Sequence, residues 1–280
     1  MIGGRTGPRP SAALVSPPGG ACHSGLVVTS FDVAGVTVLG LQPRRGPTLG
    51  YVFDPHRLAL PCWAHALEGR PAALLVTIDR HVDLVAPADP DRVPRRDAGV
   101  QSLEEHARRS LDPRNVDHVL AAVESGLVDD VLCVARSPLP GCVSTGTWRD
   151  HRGGAHEVCV APTIQRVVDA WEEATPPAEA WDPRALLGGA RPVLLDVDLD
   201  AFTTLSDADP TTVIPWPRDA IREFLLPPGS GPVWDALLSR CVALTVAREP
   251  LHCGGVVASG RLFEEVAEVL FRELLAVDLP

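Results

Sequence analysis

Two apolar stretches that end in alternating acidic residues constrain this chain more than any other feature. The first, Ala72 to Ile78, carries no charged side chain and runs into Asp79-Arg80-His81-Val82-Asp83. The second, Pro192 to Leu195, runs into Asp196-Val197-Asp198-Leu199-Asp200. Uncharged runs rich in Val, Ile and Leu read as buried central strands. In extended backbone, residues i, i+2 and i+4 point to one side. Asp79, His81 and Asp83 therefore face a common space, and so do Asp196, Asp198 and Asp200. Buried carboxylates in such numbers repel one another, and each uncompensated charge costs several kcal/mol. Multivalent cations resolve the conflict. Either motif alone reads equally well as a strand leaving the core for solvent; it is the pair that gives the metal site its weight.

Composition narrows the classes. With 280 residues and 45% hydrophobic content, the chain can bury a sizeable core. Its net charge of -11 and the absence of a basic tract argue against nucleic acid as a partner. The seven cysteines are odd in number and include no CxxC pair, so neither a disulfide framework nor a zinc knuckle is expected. No apolar stretch reaches the roughly 18 residues of a membrane span, and the N-terminus lacks the apolar segment of a secretory signal. A cytoplasmic protein without membrane association is the expectation, and a homo-oligomer is compatible with it.

Read in order, residues 1–24 are rich in Gly, Pro and Ser and suggest a mobile leader before a single domain over 25–280. Strands are predicted at 26–30, 36–40, 51–54, 72–79, 131–135, 158–160, 192–200 and 242–247. Helices are predicted at about 57–68, 101–110, 115–126, 163–174, 218–226, 232–241 and 261–276. The segments 84–100, 136–157 and 203–217 read as long loops. This alternation predicts a three-layer αβα fold with a mostly parallel central sheet. Ligands of such sheets bind beyond the carboxyl ends of the strands. Asp54, His56, Asp79 to Asp83, Asp196 to Asp200 and Glu249 all fall there.

At these residues the chain resembles the ureohydrolase superfamily of binuclear manganese enzymes, which includes arginase and agmatinase. It is more similar to a divergent arginase-like family that includes peptide arginases, which convert arginine to ornithine in ribosomally made precursor peptides. The resemblance rests on Asp54-Pro55-His56-Arg57-Leu58-Ala59-Leu60 with Trp63, on Ile78 to Asp83, on Leu195 to Phe202 and on Thr245 to Gly255. The GGDHS-type turn and SxDxDxxDP pattern of ordinary arginases are absent, which turns the expectation away from free arginine.

The resemblance implies two Mn2+ ions per chain. One would be held by His56, Asp79, Asp83 and Asp196, the other by Asp79, His81, Asp196 and Asp198, with Asp79 and Asp196 bridging. Carboxylate-rich, thiolate-free donors suit manganese independently of the resemblance. Two such ions about 3.5–4 Å apart acidify a shared water. Asp83 is the expected general acid/base. Glu249, at the end of the last buried strand, is the expected catalytic and substrate-binding carboxylate for a guanidinium, which pairs well with a carboxylate fork; an ion pair with Arg248 is the competing reading. Asp200 reads as a substrate contact or supporting group as readily as a ligand. His106 and His118 fall in predicted helices and read as ordinary surface or core histidines.

The implied partner is an arginine-containing precursor peptide, and the three long loops would build its groove. Two rival functions are another amidohydrolase on the same scaffold, acting on a small guanidine or an acylated amine, and a metal-binding scaffold without activity.

Overall fold

Side-chain alternation along two neighbouring strands sets the layers of this protein. In the computed structural model, which describes residues 31–173 and 182–277, the strand Ala73–His81 sends Leu74, Val76 and Ile78 into one core and Ala73 and Leu75 into the other. The strand Val193–Asp198 does the same, with Val193, Leu195 and Val197 on one side and Leu194 on the other. A sheet with two apolar faces must be covered by helices on both, and it is.

The elements run as follows. β1 (Val36–Gly40) and β2 (Leu49–Phe53) precede α1 (Ala59–Ala66) and β3 (Ala73–His81). Next come α2 (Val100–Arg109), α3 (His118–Ser125), β4 (Val128–Ser137), β5 (Gly146–Arg149) and β6 (Ala155–Ala161). Then follow α4 (Ile164–Glu172), α5 (Pro183–Leu187), β7 (Val193–Asp198), β8 (Thr203–Leu205) and β9 (Val213–Pro215). α6 (Arg218–Leu225), α7 (Gly231–Leu238), β10 (Cys241–Ala247) and α8 (Val256–Ala267) complete the chain, and a π-helical turn, Glu268–Leu274, extends α8.

Eight strands form one sheet in the order β1-β2-β10-β7-β3-β4-β6-β5. Every pairing from β2 to β6 is parallel, and β1 and β5 close the two edges antiparallel. This is the expected three-layer, mostly parallel α/β architecture. α1, α2 and α3 cover one face, while α4, α6, α7 and α8 cover the other. From β3 the chain proceeds to β4 and β6 on one side. From β7 it proceeds to β10 on the other. The crevice between β3 and β7 is therefore the point where the strand order reverses, the position at which open α/β sheets place their ligands.

Several predicted boundaries differ. Part of 136–157 is not loop: Gly146–Arg149 pairs with Ala155–Ala161 as a hairpin whose tip carries Gly153 at φ 87°. The segment 203–217 holds the β8–β9 hairpin. The last helix starts at Val256 rather than at 261, because Gly255, at φ 98°, lets the chain turn directly into it. Gly126, in left-handed conformation, ends α3 as expected. The proposed leader and the strand at 26–30 lie outside the described residues. No described helix is long and apolar enough to cross a membrane.

Candidate metal centre and cavity

Inter-strand register decides which acidic residues meet. β3 and β7 are aligned with Thr77 opposite Asp196 and Ile78 opposite Val197. The same alignment brings Asp198 level with Asp79; β7 ends there, short of the predicted 200, and a 3-10 turn, Leu199–Phe202, sets Asp200 beside His81. Asp79 continues the Ala73/Leu75 face, so the acidic groups open toward the layer of α1, α2 and α3. The turn that precedes α1 brings in His56, and the first residue of α3 is His118.

Asp196 is fully buried and accepts three side-chain hydrogen bonds. Its Oδ2 accepts from His56 Nε2 at 2.7 Å and from Thr77 Oγ1 at 2.9 Å, and its Oδ1 accepts from Thr245 Oγ1 at 2.5 Å. Thr245 Oγ1 in turn accepts from the indole N–H of Trp63 at 3.1 Å. Burial pushes the Asp196 carboxyl up, but the His56 charge and these hydrogen bonds hold it below the usual carboxylate range. Asp196 appears in none of the described side-chain groups spaced to hold an ion.

Those groups are His56/Asp79/Asp198, Asp79/His81/Asp200 and His56/Asp83/His118, each with its ligand atoms within 4.8 Å of one another. His56 Nδ1 stands 3.1 Å from Asp198 Oδ2, 3.5 Å from Asp79 Oδ2 and 3.8 Å from Asp83 Oδ2. His81 Nδ1 is 3.0 Å from Asp200 Oδ2. Asp200, left open between ligand and supporting group by the sequence, thus sits beside His81, while Asp79 is shared by two of the groups. His56 Nδ1, Asp79 Oδ2 and His118 Nε2 are buried without a hydrogen-bond partner. Buried polar atoms are rarely left so, and divalent ions would satisfy all three. The residues fit a metal.

Electrostatics agree. Burial raises the Asp79 carboxyl to about 6. Burial, reinforced by neighbouring carboxylates, raises Asp83 and Asp198 well above the usual range. Asp200 escapes: against the upward push of burial, its hydrogen bond with His81 lowers it. His56 loses ground to burial, yet Asp196 and Asp198 lift it well above the ordinary imidazole value. Burial drives His118 the other way, down to about 3.

Glu249 stands at the rim. It follows β10 in left-handed backbone (φ 36°), a conformation that costs a non-glycine residue of order 1 kcal/mol or more. Three backbone hydrogen bonds hold it there: its N–H donates to Asp54 O, and its carbonyl accepts from His252 and Cys253. Its Oε1 accepts from the His56 N–H at 2.9 Å and also from the Asn115 side-chain amide. Oε2 lies 3.5 Å from His252 Nε2. The carboxylate therefore presents one oxygen to a ligand rather than a two-oxygen fork. Arg248 pairs with Asp54, so the competing ion pair to Glu249 does not form. A cavity of about 300 Å³ opens here, lined by His81, Asp83, Asp198, Asp200, Glu249 and His252, with Val85, Val116, Leu139 and Pro140 as apolar walls and Arg114 at its edge.

His118 is the functional candidate that sequence reading passes over. It is fully buried, its ring centroid lies 4.2 Å from that of His56, and its Nδ1 is 2.7 Å from the Asn115 carbonyl. No local signal separates it from His106, which is also buried but joins none of the ion-holding groups.

No protein-family model matches the chain, and no curated protein matches it. Among solved structures it is similar to proclavaminate amidino hydrolase from Streptomyces clavuligerus, at 19% sequence identity and a TM-score of 0.42. That similarity covers 80% of this chain and 63% of the other, under two thirds of its length.

Proposed function

We propose that the protein is a metal-dependent hydrolase that cleaves the guanidinium of peptide-linked arginine, releasing urea and leaving ornithine. The observation that carries this reading is the set of buried, unpartnered ligand atoms on His56 and Asp79, next to Asp83 and Asp198, which line a cavity together with Glu249. Ligand assignment follows the geometry. His56, Asp79, Asp83 and Asp198 would hold one ion; Asp79, His81 and Asp200 would hold the other. Asp79 would be shared between them, as the resemblance implies, whereas Asp196, which the resemblance also makes a ligand, hydrogen-bonds His56 and orients it. Outer carboxylates of this kind fix the tautomer and strengthen the ligand.

Bound divalent ions, Mn2+ by the preponderance of carboxylates, would supply the charge that acidifies a water near neutral pH. The chain's own groups do the rest. Glu249 Oε2 accepts N–H bonds from the guanidinium and holds its carbon toward the centre. Asp83, whose carboxyl is raised by burial, takes the proton of the attacking water and returns it to the departing δ-nitrogen. The apolar walls exclude bulk water from the exchange.

A peptide substrate is favoured by the exposed apolar residues that follow Glu249 in sequence. Leu251, Val256 and Val257 are 92%, 77% and 71% exposed, apolar side chains that would meet the residues flanking an arginine. Incubation with Mn2+ and an arginine-containing peptide, agmatine or free arginine tests the reading. Urea should appear with the peptide, accompanied by a mass loss of about 42 Da per arginine as water is added and urea leaves. Urea from agmatine alone would move the assignment to small guanidines. Metal uptake without urea from any of them would leave a binding protein.

A further inference from the structure

We propose that His118 is a third imidazole ligand of the metal centre, completing with His56 and Asp83 a nitrogen-rich ion position. The inference rests on the binuclear reading above and goes beyond it, since that reading needs only His56 and His81. Three observations converge. One ligand atom each from His56, Asp83 and His118 lies within 4.8 Å of the others, a separation two donors of a common ion can close at bond lengths of about 2.1–2.4 Å. His118 Nδ1 sits 2.7 Å from the Asn115 carbonyl. A carbonyl only accepts, so Nδ1 carries the proton and Nε2 presents its lone pair. This is the arrangement that a metal-bound imidazole adopts with its outer partner. Third, that Nε2 is buried and bonded to nothing.

Ring packing alone explains less. His118 stacks between His56 and Trp63, at centroid distances of 4.2 and 5.7 Å. A phenyl ring would fill the same space without stranding a polar nitrogen. The Asn115 carbonyl that fixes the tautomer belongs to a residue in left-handed backbone, φ 63°. Its side-chain amide holds Glu249, so one residue ties His118 to the substrate carboxylate.

The two ion positions then differ in chemistry. Asp79, His81 and Asp200 make a carboxylate-dominated position suited to Mn2+. With two imidazoles, the His56/His118 position shifts toward ions that favour nitrogen, such as Fe2+, Co2+ or Zn2+.

The test uses the full chain and His118→Phe, which keeps the stacked ring and removes the lone pair, with His118→Gln as a second variant. Metal-depleted protein is titrated with Co2+ and Mn2+, and ion content is measured after dialysis. The wild type should bind two ions and take Co2+ at one position in preference to Mn2+. His118→Phe should bind one ion, or hold the second at least ~10-fold more weakly, with the preference for Co2+ lost. X-ray absorption of Co2+-loaded wild type, which needs no variant, should show three imidazoles shared by two ions. Unchanged affinity and preference in both variants, or two imidazoles in the absorption data, overturns this proposal alone. Wild type that takes up no divalent ion overturns the binuclear reading as well.

Discussion

The Nε2 of His56 donates a 2.7 Å hydrogen bond to Asp196 Oδ2, and this one contact sorts the acidic residues of β7. It turns Nδ1 of His56 toward Asp79, Asp83 and Asp198. With the bonds from Thr77 and Thr245, it engages both Asp196 oxygens in hydrogen bonds within the protein. Substitution should therefore separate the acids. Asp196→Asn should retain both ions with affinity lowered ~10–100-fold, the usual effect of losing an outer carboxylate, whereas Asp198→Asn should lose at least one ion outright. Metal content after dialysis distinguishes them, and an Asp196→Asn protein that loses ions as completely as Asp198→Asn would restore Asp196 as a ligand.

Above about pH 6.5, the stability of the metal-free protein should fall as pH rises. Asp79 is raised by burial to about 6, so its contribution is complete below the usual carboxylate value and disappears as pH passes through about 6. The change is on the order of 3 kcal/mol for a shift of about two units. Asp83, Asp198 and His56 are also raised and act in the same direction at higher pH. Asp196 and Asp200 are lowered, and their contribution is lost only in acid; His118, depressed to about 3, works against Asp79 until pH passes the ordinary imidazole value of about 6.5 and changes nothing above it. Chelator-treated protein should unfold at lower temperature at about pH 8.5 than at about pH 7, and added divalent ions should stabilise it most at the alkaline end. A metal-free melting temperature that rises with pH over this range would contradict the electrostatic picture.

Glu249→Gln should keep the amide-oxygen acceptor for the His56 N–H while removing the charge offered to a guanidinium. Loss of a charge-assisted bond is worth about 1.5–3 kcal/mol, so kcat/KM should drop ~10–100-fold with metal content unchanged. Equal kcat/KM in the two proteins would remove Glu249 from substrate binding.

Thr245→Val should destabilise the fold through two partners at once. It strands the Trp63 indole N–H and takes a donor from Asp196, both buried. The cost should be ~2–4 kcal/mol, read from urea unfolding, and less than additive with Trp63→Phe because the two share a bond.

Replacing Leu251, Val256 and Val257 together by serine should leave stability within about 0.5 kcal/mol, as expected for exposed sites. KM for an arginine-containing peptide should rise several-fold, measured by urea release. An unchanged KM would deny the three residues a role in docking.

The sequence by itself determined much of this protein. Alternation put Asp79 with His81, and Asp196 with Asp198, because side-chain direction in a strand is a local property of the backbone. Apolar runs and their helical spacers specified a parallel sheet, and with it the edge where ligands collect. Short strands in polar segments, β5, β8 and β9, escaped because their pairing partners, not their composition, make them strands. Only the tertiary structure decided which acid meets which. Pairing Thr77 with Asp196 brings Asp198 up to Asp79, the 3-10 turn after β7 sets Asp200 beside His81, and a slip of two residues in the pairing would have preserved every local pattern while changing which acids meet. His118 belongs to the same class. Its helix is readable in sequence, but its place against His56 depends on how one layer packs onto another, across 62 residues of chain.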